Sequence, residues 1–392
     1  MTSRSRRGRG AGYKTRVKIT RFKFDDHGAD WHLEETAFDQ LNLLVGVSGV
    51  GKTKILEALR RVCGMGSGKS PGKIEWLIEF EHDERFYQWE GMTGTKPSAK
   101  ILESISGEEE IVFVREKLTP LGEVPVITRD EHGIQFRDQV MPPLAEMGSA
   151  LHILQAEKEL QGIRFGFAQV IFSTATNLAT VFFDPELNGP EELKTIPLDH
   201  LRLAFLINAT PLLLGVYVMQ ELHFSQFEEM RDEFTDIFDS VQDMRIQLVP
   251  LSGIKDKFAL QFAIQERGSS RWVRQSEMSS GMLRTLAHIF EMAMAPPGSV
   301  IVIDEFENSL GVNCMSDLAG LISRRTDCQV ILTSHHPYII NRIPVDAWKL
   351  VTRKGGHVQV TNARDIPEMQ SASRLEAFTR LINLPQFEKG IQ

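Results

Sequence analysis

Residues 46–53 read Gly46-Val47-Ser48-Gly49-Val50-Gly51-Lys52-Thr53. A glycine, four free positions, then Gly-Lys and Ser or Thr is the spacing of a phosphate-binding loop. The residue types explain the chemistry. Glycines let the backbone curl until successive N–H groups face one anion, and the helix that follows adds positive potential. Ser48, Val50 and Lys54 extend that backbone cradle. Lys52 is placed to reach the outer phosphates, and the Thr53 hydroxyl to ligate Mg²⁺.

Three later stretches carry matching chemistry. Val300-Ile301-Val302-Ile303 ends in Asp304-Glu305. The first acid is suited to holding Mg²⁺, and the second to taking a proton from an attacking water. A solvated strand end would look the same. Val330-Ile331-Leu332-Thr333-Ser334 ends in His335, with His336 as its rival. If the two strands run parallel, both acids and histidine open onto one crevice, and His335 can contact a terminal phosphate. Ser279-Ser280-Gly281 precedes an apolar helix from Leu283 to about Met294. Serine and glycine there offer a hydroxyl and free N–H groups to an anion, or form a plain helix cap.

These residues need elements to hold them. Leu41, Leu43, Leu44 and Val45 read as a buried strand before the loop, and Ile55, Leu56, Ala58 and Leu59 as the helix after it. Residues 16–24 alternate apolar and basic side chains, which predicts an edge strand, paired through a turn with a second strand near Trp31–Leu33. Strand-like segments between Ile74 and Phe136 predict an antiparallel lobe. From Met141 to Asp243 the period turns helical, with long helices expected over 151–172 and 201–243. Phe224, Phe227, Met230, Phe234 and Phe238 form a stripe that reads as core. No sustained heptad supports a long coiled coil. A hairpin over 348–360 and a closing helix over 374–384 follow.

Composition narrows the class. The chain has 392 residues, 42% of them hydrophobic and 24% charged, as globular domains do. No apolar run has transmembrane length, which predicts no membrane partner. Cys63, Cys314 and Cys328 form neither a disulfide framework nor a zinc spacing, which suits a reducing cytoplasm. Nine basic residues (Arg4, Arg6, Arg7, Arg9, Lys14, Arg16, Lys18, Arg21 and Lys23) precede the first acid, Asp25. Taking those nine from 44 leaves 35 basic against 52 acidic residues, so a body that coats nucleic acid uniformly is disfavoured. Residues 1–12 read as a disordered basic tail.

The order of phosphate loop, serine-glycine signature, Asp-Glu strand and histidine switch resembles the ABC-type ATPase heads. Within them the chain is similar to the SMC, RecF and OLD branch, the AAA family ATP-binding proteins of bacterial defence and repair operons. Septu-type defence ATPases are the nearest analogy. The resemblance covers residues 15–70 and 245–345. It implies an α/β phosphate-loop head with a mixed central sheet, an antiparallel β lobe and a helical insertion. The core would span 13–140 and 245–392, and the insertion 141–244.

By position, the resemblance implies that Lys52 and the loop from Gly46 bind ATP, and that Thr53 and Asp304 hold Mg²⁺. Glu305 would polarise water and His335 would sense the γ-phosphate. Ser279 and Gly281 would act in trans on a second protomer, with 306–310 facing that dimer. Gln139 is the candidate for a glutamine loop that also contacts the metal. Departures are Ser280 where many members have Gly, Met282 where Gln or Glu is usual, and Gly311 where transporter motors carry Asp. They leave the turnover rate open. About 57 residues follow His335, too few for the TOPRIM nuclease domain of the OLD proteins, so a nuclease effector would be a separate chain. The expected partners are a second copy and that effector. A RecF-like DNA clamp and an ATP-stabilised scaffold with little turnover stand as alternatives, with a transporter motor the weakest.

Overall fold

The computed structural model describes residues 17–97, 109–142, 144–173, 178, 181–183, 196–206, 211–251, 257–369, 374–385, 387 and 390. The basic tail expected over residues 1–12 lies outside them. β1 (Val17–Asp26), β2 (Trp31–Ala37) and β3 (Leu41–Val45) lead to α1 (Lys52–Met65). A run of strands follows: β4 (Ile74–His82), β5 (Arg85–Pro97), β6 (Glu109–Pro120), β7 (Ile127–Asp130), β8 (Gly133–Phe136) and β9 (Gln139–Val140). Next come α2 (Ala150–Ile153), α3 (Lys158–Ala168), β10 (Val170–Ser173) and β11 (Val181–Phe183). Then α4 (Leu198–Leu206), α5 (Leu212–Leu222) and α6 (Phe224–Ile237) precede β12 (Val241–Pro250), β13 (Phe258–Glu266) and β14 (Trp272–Arg274). The remainder is α7 (Ser280–Met294), β15 (Val300–Ile303), α8 (Val312–Arg324), β16 (Gln329–Thr333), α9 (Pro337–Arg342), β17 (Trp348–Lys354), β18 (His357–Asn362) and α10 (Arg374–Ile382).

Fourteen strands form one mixed sheet in the order β10-β15-β16-β3-β17-β18-β2-β1-β4-β5-β6-β7-β8-β9. The strands from β10 to β17 run parallel, each to the next, so their carboxyl ends share one edge. Both faces of this part are covered. Ile301, Ile303, Val330, Leu332, Leu43 and Val45 enter a core shared with α5, α6, α7 and α8. Val300, Val302, Ile331 and Leu44 enter a second core with α1, α3 and the antiparallel strands. A strand buried on both faces has to be apolar throughout, which explains the unbroken runs before the acids and the histidine. Burying each such side chain contributes about 1.5–3 kcal/mol, enough to fix those strand ends firmly. β11, β13, β12 and β14 form a smaller sheet.

Several expectations change. β1 is not an edge strand but lies between β2 and β4. Its Arg21 pairs with Glu35 at 3.1 Å and Glu79 at 3.5 Å, so the basic alternation marks a solvent face lined by acids on the neighbouring strands. Residues 151–172 are not one helix. Val170, Ile171 and Phe172 pair with Val300, Ile301 and Val302, so α3 gives way to the strand beside β15. A short buried strand and a buried helical turn share one apolar pattern. Residues 201–243 also break. Pro211 caps α5, His223 separates α5 from α6, and β12 begins at Val241. The segment 141–244 therefore lends a strand to the central sheet. The strands between Ile74 and Phe136 are antiparallel as expected, but they continue the central sheet. Phe227, Met230 and Phe234 of the stripe are core.

Candidate nucleotide site

The loop of residues 46–51 joins the carboxyl end of β3 to the start of α1. Gly46 has φ 153°, and a Cβ there would lie 2.6 Å from the Val351 carbonyl oxygen. Gly51, at φ 107°, is the N-cap of α1 and has no side chain to occupy the first-turn N–H groups. No acid stands in that turn either. Those N–H groups are thus left for an anion. Ser48, Gly49, Thr53 and Lys54 are exposed around the loop, and Val50 is buried beneath it.

Lys52 folds back over the loop and donates to the carbonyl oxygens of Gly46 at 2.8 Å and Val47 at 3.0 Å. Burial holds its ammonium below the usual lysine value, opposed by the carboxylates of Glu307, Asp304 and Glu305. All three acids belong to the turn after β15.

That turn is held from β16. The Thr333 hydroxyl donates to Asp304 Oδ1 at 2.6 Å and accepts from the Glu305 N–H at 2.7 Å. Glu305 is exposed at φ 44°, a left-handed conformation uncommon for a side chain of this kind. Backbone strain of this kind costs about 1–3 kcal/mol and gathers at functional sites. Asn308 Nδ2 donates to Glu305 Oε2 at 3.4 Å.

The two histidines are separated by their surroundings. His336 caps α9, with Nδ1 accepting from the Tyr338 N–H at 3.3 Å and its ring stacked on Tyr338. His335 is exposed, and its Nδ1 lies 2.7 Å from Glu307 Oε1. The same oxygen accepts from the His335 N–H at 2.8 Å. Glu307 and Thr333 escaped the sequence reading. An acid two places after Asp-Glu and a hydroxyl two places before the histidine were the available signals.

Ser279 is the N-cap of α7 and its Oγ accepts from the Met282 N–H at 3.2 Å. Gly281 lies against the end of the Asp-Glu turn, where a Cβ would be 3.2 Å from the Gly311 nitrogen and 3.3 Å from the Ser309 oxygen. Gln139 does not join the site. It is exposed on β9, at the opposite edge of the sheet from β10 and ten strand positions from β3. The carboxyl end of β10, where Ser173 donates to Glu291, is the strand end that does adjoin Asp304.

A nucleotide with its metal fits these groups. A Cβ on Gly49 would meet nothing within 4 Å, so the loop is open above it. Asp304 uses Oδ1 on Thr333 and keeps Oδ2, which with the Thr53 hydroxyl is a hard oxygen set suited to Mg²⁺. Among the described residues no cluster of three His, Cys, Asp or Glu could hold a metal alone. Mg²⁺ beside phosphates needs only one or two protein oxygens.

Residues 183–341 match a protein family described as "AAA domain, putative AbiEii toxin, Type IV TA system". No curated protein matches the chain. Among solved structures, an Smc head bound to the C-terminal winged-helix domain of ScpA is 14% identical, with a TM-score of 0.49 over 88% of this chain and 96% of that one. A Pyrococcus furiosus Smc head with an extended coiled coil, bound to the C-terminal domain of ScpA, is 13% identical, with a TM-score of 0.48 over 88% and 96%. The Thermotoga maritima SMC head is 12% identical, with a TM-score of 0.42 over 88% and 98%. No described helix is long and apolar enough to cross a membrane. The phosphate loop, the Asp-Glu turn and the histidine end adjacent parallel strands, and the last two lie within residues 183–341, the stretch that matches the AAA family.

Proposed function

We propose that this chain hydrolyses ATP at a site shared by two copies and uses the cycle to control a separate effector. The observation that carries the reading is the meeting of Lys52 with Asp304, Glu305 and Glu307 where β3, β15 and β16 end. The loop N–H groups and Lys52 bind the phosphates. Thr53 and Asp304 would hold Mg²⁺, which supplies charge neutralisation at the phosphate oxygens. Glu305 takes the proton of the attacking water, and His335 contacts the terminal phosphate. Ser279 and Gly281 serve the nucleotide of a second protomer, because a helix N-terminus offers an anion site without charge.

The effector reading draws on the SMC, RecF and OLD resemblance and on the toxin named in the matching family's description. It makes the effector a nuclease in antiviral defence, in the cytoplasm. A RecF-like clamp on DNA is the second reading, favoured by the basic residues that precede Asp25, although Arg21 and Lys23 among them are paired with acids. It requires ATP-dependent DNA binding by the chain alone, with a steep salt slope.

Glu305→Gln tests the principal reading. Removing the proton acceptor while keeping phosphate binding should trap an ATP-bound dimer in saturating MgATP, seen by light scattering as about twice 44.3 kDa. A mass unchanged from the nucleotide-free protein counts against it.

A further inference from the structure

Glu307 is 6% exposed, and its Oε1 holds both the N–H and Nδ1 of His335. A carboxylate accepts and does not donate, so Nδ1 carries the proton and Nε2 is left as the free end of the ring. The ring cannot turn without stripping a buried carboxylate of that bond. Oε2 is also buried and has no partner among the described residues. Glu307 is moreover first among the three carboxylates that act on Lys52. Asp304 is tied to Thr333, and Glu305 is exposed. The three acids of one turn therefore have three different surroundings.

We propose that Glu307 is a positioning residue that holds His335 at the terminal-phosphate end of the loop, so that discrimination between nucleoside triphosphate and diphosphate runs through the Glu307–His335 pair. This rests on the nucleotide-site reading above. Glu307 does not touch the nucleotide itself. It acts by fixing where the imidazole stands.

The experiment measures binding of a non-hydrolysable ATP analogue and of ADP, both with Mg²⁺, to the full chain. Glu307→Leu and His335→Gln should each lower the preference for the triphosphate, read as the ratio of the two affinities, by about tenfold, and His335→Gln should leave ADP affinity unchanged. The double variant should be no worse than either single one. Glu307→Gln retains an acceptor oxygen of the same reach and should restore most of the preference. Should the leucine variant not fold, Glu307→Asp, which draws the acceptor back by one methylene, carries the same expectation. A second arm reads the imidazole by nitrogen NMR of the nucleotide-free protein, with the His335 signals assigned by their loss in His335→Gln. They should show the proton on Nδ1 in the wild type. A triphosphate preference kept in the leucine or aspartate variant, a double variant equal to the product of the singles, or a bare Nδ1 would each overturn the proposal. Binding of neither nucleotide by the wild type would overturn the phosphate-loop reading instead, and the NMR arm would then judge the pairing alone.

Discussion

His335 and His336 stand side by side after β16, and only their partners distinguish them. His336 spends Nδ1 on the Tyr338 N–H and so closes the start of α9. His335 follows the carboxyl end of β16, with its side chain 62% exposed and anchored on a buried acid. A residue that caps a helix acts on stability, while one at the crevice acts on ligand. His336→Ala should therefore lower unfolding stability by about 0.5–1 kcal/mol and leave the ATP-over-ADP preference in place. His335→Ala should remove that preference. Denaturant unfolding and nucleotide titration on both variants check the division, and a His336 variant that loses the preference would reverse the assignment. The places of Asp304 and His335 were legible, since each follows an apolar run that the structure makes a buried strand. Glu307 was not. Its burial depends on the tight turn with left-handed residues at Glu305 and Ser309, and neither residue type announces that conformation.

At the scale of elements, α7 is unusual in what it buries. Arg284, His288 and Glu291 all lie in the interior, at 8%, 1% and 2% exposure. Neither ring nitrogen of His288 has a hydrogen-bond partner among the described residues, Nδ1 lies 4.0 Å from Glu291 Oε2, and the ring lies against Phe306 of the Asp-Glu turn. Burial first, and Arg284 second, push the His288 pKa from 6.5 down to about 3. The unfolded chain takes up a proton near 6.5 that the folded chain refuses until about 3. Stability present above pH 6.5 is thus lost as the pH falls toward 3, at about 1.4 kcal/mol per unit. Between pH 6.5 and pH 5 the wild type should lose about 2 kcal/mol more than His288→Leu in urea unfolding. Parallel losses in the two proteins would show that the imidazole is not held neutral. The same buried setting limits what sequence patterns reveal. Residues 170–172 are apolar without interruption and would suit a buried helical turn as well as a strand; they form a strand because β15 offers its edge to them. The antiparallel strands were legible from turn residues, and the parallel ones from runs ending in chemistry. The place of β10 was legible from neither, since it depends on a partner strand some 130 residues away in sequence.

For the whole molecule, the proposal of a shared site turns on which copy completes which site. Gly281 lies in its own chain against Ser309 to Gly311, so the signature and the Asp-Glu turn form one continuous surface. The phosphate loop lies at the end of β3, two strands from β15. Two bodies each of net charge −8 repel, so under that proposal a ligand gripped by both would favour pairing. A composite site has a consequence that no single-chain site shares. Lys52→Ala removes the phosphate grip, and Ser279→Arg blocks the face offered to the other copy. Each variant alone should be inert in MgATP. In a dimer of one of each, the Ser279→Arg copy still has its own Lys52 and meets the intact Ser279 of the Lys52→Ala copy. One of its two sites is therefore whole. With random pairing of equal amounts and independent sites, about a quarter of wild-type phosphate release should return on mixing. The recovery should vary with total protein concentration, because it depends on pairing. A mixture that stays inert while light scattering records ATP-dependent mixed dimers would place Ser279 and Lys52 in the same site of one chain.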